Sequence, residues 1–379
     1  MTYFEERNEK TLAAIEDILE TLPEFARQFN VGISMRTMPL TRLGYLRDIR
    51  VFCDYLVKRK FKGKFIYELT IDDLAKVTPT DIEMFIDYLS SYTIADKKYS
   101  CKEHAKERKV SSLRALFKYF YKREKLENDI MTKVDTPKVH EKPIIRLDVD
   151  EVVEFLDEAE NGEGLTGRQK TYHEKTSVRD EAILSLFLGT GIRISECVGL
   201  NRTDINFSDN SFVVTRKGGN TSILYFSEEV ANSLRRYLDW LDDQILEQTP
   251  FGKRITDRDA LFVSSKGGRM TPRAVEMMVK KYARITTPFK KITPHKLRST
   301  YGTNLYHETH DIFVVADVLG HRDVNTTRKH YAAMSDDIRR DAVNKVKLRD
   351  RDNPPPYDTA EIHDSTDTTP KNDDPPDGE

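Results

Sequence analysis

Apolar residues recur at three- and four-residue intervals along most of this chain, the spacing that loads one face of a helix. Leu12, Ile15, Ile18 and Leu19 follow it within "EKTLAAIEDILETLPEFARQF", so residues 1–35 are predicted to form one or two helices. Leu43, Leu46, Ile49, Phe52 and Leu56 repeat the period in "LTRLGYLRDIRVFCDYLVKRK". In "TPTDIEMFIDYLSSY" the helix start is written in its chemistry. Thr78 can cap an orphan backbone N–H, and Pro79 at the first helical position forfeits no hydrogen bond. A fourth segment, "ERKVSSLRALFKYFYKREKL", sets Val110, Leu113, Leu116, Phe117 and Phe120 on one side. Arg108, Lys109, Arg114, Lys118, Lys122 and Arg123 lie on the other. That basic side is either a solvated face or, with Ser111 and Ser112 interleaved, a set of phosphate contacts.

The pattern then breaks. "TKVDTPKVHEKPIIRLDVDE" has two prolines, mixed charge and no period, and marks a linker over 132–147. A second unit is predicted from residue 148, opening with the helix "DVDEVVEFLDEAE". "NGEGLTGRQKTYHEKTS" (161–177) is predicted as a polar loop or insertion, and "VRDEAILSLFLG" as a buried helix ending at Gly189. "SFVVTRKGGNTSILYF" places two β-branched or alternating runs around Gly218-Gly219, a hairpin signal. "EEVANSLRRYLDWLDDQI" returns to helix with Trp240 as core, and "ALFVSSKGGRMTPRAVEMMVKKYARI" predicts a short strand, a turn and a helix. Helix is expected from there to about residue 348. The fold class is therefore mainly α with a small β-sheet: a helical N-terminal unit (1–131) and a mixed α/β unit (148–349). Residues 350–379 are rich in Pro, Asp and Thr, almost lack large apolar residues, and are expected to be a disordered acidic tail.

Composition adds three limits. No apolar run approaches the roughly 20 residues of a membrane span. The acidic start "MTYFEERNEKTLAAIEDILE" lacks the apolar stretch of a signal peptide, so a cytoplasmic, membrane-free protein is expected. Cys53, Cys101 and Cys197 are scattered without metal-ligand spacing, which predicts a reducing compartment and no disulfide framework. The net charge of −2 conceals an asymmetry. Residues 351–379 hold nine acidic and two basic residues, a charge of −7, so the body carries +5. A modestly basic body admits a polyanionic partner.

Four places in the second unit hold candidate chemistry. In "GTGIRISECVGL" two glycines permit a tight break, with Arg193 at the start of the next helix, where an anion is favoured. In "ITPHKLRSTYGTNLYHE", Thr293 and Pro294 mark a helix start, His295 and Arg298 are three apart in its first turns, and Leu297, Tyr301 and Leu305 should bury. In "LGHRDVNTTRKHYAAM", Gly320 suits a helix terminus, His321 follows it, Asn325 or Thr326 can cap the next helix, and Tyr331 lies ten residues after His321. Lys217 stands at the hairpin tip, where a lysine by itself signals little more than solubility. The whole set is cationic, with Glu196 as the one nearby carboxylate. Metal-dependent phosphoryl transfer needs clustered carboxylates to hold Mg²⁺, and the sequence offers none. A cationic set can instead stabilise a phosphodiester transition state directly, with a phenol as nucleophile. His307 and His310 in "HETHD" lack a third ligand for a metal.

"TGIRISECVGL", "RKGG", "TPHKLRSTYGTNL" and "LGHRDVNTTRKHY" resemble, in order and spacing, the motifs of the tyrosine recombinase (phage integrase) family, in particular its Xer branch and the single-protein Xer systems. The resemblance covers about residues 10–349. It implies a catalytic set of Arg193, Lys217, His295, Arg298, His321 and Tyr331, with no metal and no cofactor. Ser299 stands where the family often has a second histidine, and "RKHY" is slightly unusual before the tyrosine, leaving His330 as a decoy.

The resemblance further implies a helical core-binding (SAM-like) domain and a catalytic domain clamped around double-stranded DNA at an inverted-repeat core site. It also implies a homotetramer on two duplexes, and a nucleoid-associated location. The segment "SDDIRRDAVNKVKL" after the tyrosine is a candidate for exchange between protomers. Three alternatives remain open. They are a monomeric type IB topoisomerase with nearly the same chemistry, a non-catalytic DNA-binding regulator, and a structural helical protein. Target sequence, any accessory protein, and a chromosomal or mobile-element role are not written in these residues.

Overall fold

The computed structural model describes residues 2–94, 96–136, 144–216, 220–320 and 324. Its first part is built from six helices: α1 (Tyr3–Leu19), α2 (Glu24–Ile33), α3 (Pro39–Arg59), α4 (Ile71–Ala75), α5 (Pro79–Tyr88) and α6 (Glu103–Tyr121). A two-stranded ribbon, β1 (Tyr92–Ile94) and β2 (Lys97–Tyr99), precedes α6. The expected cap of α5 is present. The Thr78 hydroxyl accepts from the Asp81 N–H at 3.2 Å, and the Asp81 carboxylate accepts from the Thr78 N–H at 2.8 Å. Phe29, Phe52, Phe85, Phe117 and Phe120 are fully buried in one core that runs from Ile15 to Val134.

The basic side of α6 is mostly exposed, with one internal cluster around Asp48. Asp48 on α3 is 1% exposed. It accepts from both terminal nitrogens of Arg108 at 2.6 and 2.7 Å, from Lys109 Nζ at 2.8 Å and from Ser112 Oγ at 2.7 Å. Arg114 donates to the Val134 carbonyl at 2.9 Å. Arg123 lies over the Tyr119 ring, 3.7 Å from its centroid. Arg108 and Lys109 therefore fasten α6 to α3, while Lys118, Lys122 and Arg123 remain exposed.

The second part comprises α7 (Val149–Asn161), α8 (Arg168–His173), α9 (Ser177–Thr190), α10 (Ile194–Cys197), α11 (Glu228–Leu246), α12 (Pro272–Thr286), α13 (Pro294–Thr309) and α14 (Ile312–Leu319). A three-stranded antiparallel sheet, β3 (Ile205–Asn206), β4 (Ser211–Thr215) and β5 (Thr221–Tyr225), lies between α10 and α11. The predicted hairpin is β4–β5, registered from Ser211 opposite Tyr225 to Thr215 opposite Thr221. The Arg216 N–H donates to Asn220 O at 2.7 Å beyond its last pair. Helix α9 is buried nearly all round, which explains its continuous apolar run, and packs against α7, α11 and α13. A second core spans Leu147 to Leu297. Trp240 is half-buried at its margin, stacked against Tyr237 and Phe251.

Three expectations change here. The 161–177 loop contains α8, whose His173 is buried with Nδ1 3.1 Å from the Tyr282 hydroxyl. A six-residue helix with one buried side chain leaves no period to read. The strand expected at "ALFV" is reduced to isolated bridges, Asn201 with Ala260 and Val263 with Arg269. Helix α9 ends at Thr190 rather than Gly189, because Gly191 is the residue in the left-handed region. Among the described residues, no helix is long and apolar enough to cross a membrane. The tip of α1 reaches the second core: Tyr3 packs against it with the Arg269 guanidinium 5.7 Å from its ring centroid.

Candidate active site

The break after α9 sets Arg193. Gly191 terminates the helix at φ 62°, and its N–H returns to Phe187 O at 3.0 Å. A Cβ there would lie 2.5 Å from Tyr301 Cδ1 and 2.8 Å from Leu319 Cδ2, so the turn requires glycine for both φ and space. Arg193 is the N-cap of α10. Its N–H donates to Glu196 Oε2 at 3.0 Å and its guanidinium to Glu196 Oε1 at 2.8 Å. Glu196 is buried, so it fixes both the backbone and the side chain of the arginine.

Helix α13 begins at Pro294 with Thr293 as N-cap, as its sequence predicts. His295 is exposed in the first turn. Arg298 does not share that outward face: it is 5% exposed, and its guanidinium donates to the carbonyls of Gly191 and Leu319. Ser299 is buried and donates from Oγ to His295 O at 3.1 Å. Leu297 is buried as expected, whereas Tyr301 and Leu305 are partly so. Burial pushes the Tyr301 phenol above its ordinary pKa, which disfavours the phenolate a nucleophile needs.

Helix α14 is capped by Asp311 and ends at Gly320, φ 59°. Its last carbonyls have no partner within the helix and form the negative end of its dipole. Guanidiniums from three elements gather on them. Arg216, beyond β4, donates from Nη2 to Val318 O at 2.9 Å; Arg298 donates to Leu319 O; Arg193 donates from Nη2 to Gly320 O at 3.0 Å. The sequence pointed to Arg193 and Arg298 but passed over Arg216. Its only linear signal was its place beside Lys217 in "TRKGG".

Lys217, His321 and Tyr331 lie outside the described residues, as do the expected cap at Asn325 or Thr326, the segment after the tyrosine and the acidic tail. His310 ends α13 in the left-handed region at φ 53°, its N–H donating to Tyr306 O at 2.8 Å. Among the described residues no His, Cys, Asp and Glu side chains form a metal-ligand group of three or more. Permanently charged planar forks facing one region, with one buried carboxylate among them, suit an oxyanion with several equivalent oxygens.

Comparison with known proteins gives this arrangement its context. The family model described as the phage integrase family matches residues 146–337. Tyrosine recombinase XerS of Streptococcus uberis is 29% identical over 367 residues, covering 90% of this chain and 100% of that protein. Tyrosine recombinase XerC of Syntrophus aciditrophicus is 29% identical over 314 residues, covering 83% and 93%. The crystal structure of the XerH site-specific recombinase bound to palindromic difH substrate, in its post-cleavage complex, aligns with a TM-score of 0.60 at 19% identity, over 81% of this chain and 80% of that one. The Tn1549 transposon integrase in complex with circular intermediate DNA aligns with a TM-score of 0.58 at 18% identity, over 85% and 99%. These two likenesses are of fold. With the family model over half its length, the chain belongs to the phage integrase family and is a site-specific tyrosine recombinase of Xer-like kind.

Proposed function

We propose that this recombinase cuts and rejoins duplex DNA at an inverted-repeat core site, using Arg193, Lys217, His295, Arg298, His321 and Tyr331 as its catalytic set. Tyr331 Oη attacks the scissile phosphorus while His295 accepts the phenol proton. The P–O5′ bond breaks as Lys217 protonates the departing oxygen, leaving a 3′-phosphotyrosyl link and a free 5′-hydroxyl. Arg193 and Arg298 neutralise the non-bridging oxygens, His321 hydrogen-bonds the phosphate, and Glu196 braces Arg193. The phosphotyrosyl link conserves the energy of the bond, so a second duplex's 5′-hydroxyl can reverse the step. Four protomers on two duplexes would pass through a Holliday junction, with no metal and no ATP. Residues 1–131 and 148–349 are read as the DNA-binding and catalytic halves of the clamp, joined by 132–147, with 350–379 as a tail.

One observation carries this reading. Arg193 and Arg298, far apart in sequence, are seated on the same Leu319–Gly320 turn, directly before His321. Full-length coverage of a protein named XerS favours a chromosomal role, resolution of dimers at a terminus site. The second reading is integration or excision of a mobile element, since a transposon integrase shares the fold. A palindromic pair of half-sites at the replication terminus, or beside the gene, separates the two.

The test of the chemistry is a nicked suicide duplex incubated in excess EDTA. The wild type should accumulate a covalent adduct, and Tyr331→Phe should bind the duplex and form none. An adduct from that variant, one mapped to Tyr301 or Tyr306, or activity restored only by Mg²⁺ would overturn the assignment. Relaxation of plasmids without sequence preference would instead favour topoisomerase action.

A further inference from the structure

Arg216 stands beside Lys217 in "RKGG" with no catalytic role assigned to it, yet it occupies the same end of α14 as Arg193 and Arg298. Its Nη2 donates to Val318 O at 2.9 Å, one carbonyl before the Leu319 acceptor of Arg298 and two before the Gly320 acceptor of Arg193. Its Nη1 comes up against Gly320: a Cβ on that glycine would fall 1.1 Å from it. Its Nε is buried and has no hydrogen-bond partner among the described residues. Burial holds its guanidinium below the usual arginine range, opposed by Glu196, and Arg193 adds repulsion of like charge. Three cations share one turn, and among the described residues Arg216 keeps a donor without an acceptor.

Capping the end of α14 accounts for the bond to Val318 O, but not for the buried Nε or for the proximity of a second cation, Arg193. An apolar side chain would pack against Gly320 without the repulsion or the stranded N–H. An incoming anion beside the three guanidiniums compensates the added positive charge. We propose that Arg216 is a third guanidinium of the phosphate pocket, supplying positive charge to the non-bridging oxygens beside Arg193 and Arg298. The inference rests on the reading of Arg193 and Arg298 as the groups that neutralise the scissile phosphate.

A duplex whose scissile phosphate carries a methyl group in place of one non-bridging oxygen tests the idea, because that linkage is neutral and needs less cationic help. Single-turnover cleavage is measured for wild type, Arg216→Gln, Arg216→Lys and Arg193→Ala on the ordinary and the methylphosphonate duplex, with duplex affinity alongside. Arg216→Gln should bind the duplex within threefold of wild type and lose ten- to a hundredfold in cleavage of the ordinary substrate. Most of that loss should vanish on the neutral one. Arg216→Lys, which keeps the charge, should fall between them. Equal loss by Arg216→Gln on both substrates makes the residue a brace for α14, and no loss on either makes it a surface cation; each overturns the proposal. If Arg216→Gln does not fold, Arg216→Lys carries the comparison, and an equal defect on both duplexes overturns it. Arg193→Ala is the control: if its defect too persists on the neutral linkage, the underlying reading of the pocket fails, not merely the role of Arg216.

Discussion

Lys217 is proposed to protonate the departing 5′ oxygen, and leaving-group chemistry tests that role without any need to see the side chain. An alkoxide is a very basic leaving group, so a general acid should contribute on the order of 10²–10⁴-fold. A thiolate is far less basic and needs little help. Lys217→Ala should therefore cleave an ordinary phosphodiester slowly, but cleave a duplex with sulfur at the bridging 5′ position at nearly the wild-type rate. Equal slowness on both substrates reduces the lysine to a groove contact. At this same scale the sequence was readable only where function was local. "GIRISE" contains both Arg193 and the Glu196 that holds it, three residues on, so the pair could be read from the string. Arg216 acquires its place only when β4 folds against the end of α14, and no window around "TRKGG" includes Val318.

Elements were legible where their own chemistry fixed them. Thr78-Pro79 and Thr293-Pro294 each start a helix, and Gly320 ends one. They were illegible where a partner decided. Lys109 on the basic face of α6 is internal because Asp48 waits on α3, distant in sequence. Removing that carboxylate strands the buried Lys109 ammonium, so Asp48→Ala should lower stability by about 3–5 kcal/mol. Urea unfolding followed by circular dichroism measures it; a change below about 1 kcal/mol would mean the cluster is readily replaced by water. Helix α8 was hidden for a similar reason, since its buried anchor, His173, finds its partner on α12. Burial, with the nearby Lys281 ammonium, holds the His173 pKa below its ordinary 6.5, while Asp180 and Glu158 pull the other way. The unfolded chain then binds the proton more readily, so stability should fall as pH drops below about 6.5, the ordinary histidine value. His173→Gln should flatten the melting temperature between pH 7 and 5, a window above the depressed carboxylates Asp73 and Asp81. A wild-type melting curve already flat over that window would contradict it.

For the whole molecule, charge is divided between a body of +5 and a terminal stretch of −7 over residues 351–379. That stretch is rich in Pro, Asp and Thr and almost lacks large apolar residues, so its composition offers little to bury in a core. Deleting 351–379 should therefore leave strand exchange at the core site intact, since a solvated acidic segment has little packing to lose. Electrostatics should change. A duplex is a polyanion whose affinity for a protein follows the cations presented to it, and an acidic segment on the same chain competes with it for those cations. The truncated protein should bind non-specific duplex more tightly at low salt, and the difference should shrink as added salt screens both forms. Filter binding on random-sequence duplex across a salt series reads the affinity; a recombination assay on the cognate pair reads the activity. If truncation abolishes strand exchange while cleavage by single protomers persists, the segment takes part in assembling the tetramer. If affinity for random duplex is unchanged at every salt concentration, the acidic stretch does not compete for the basic surface.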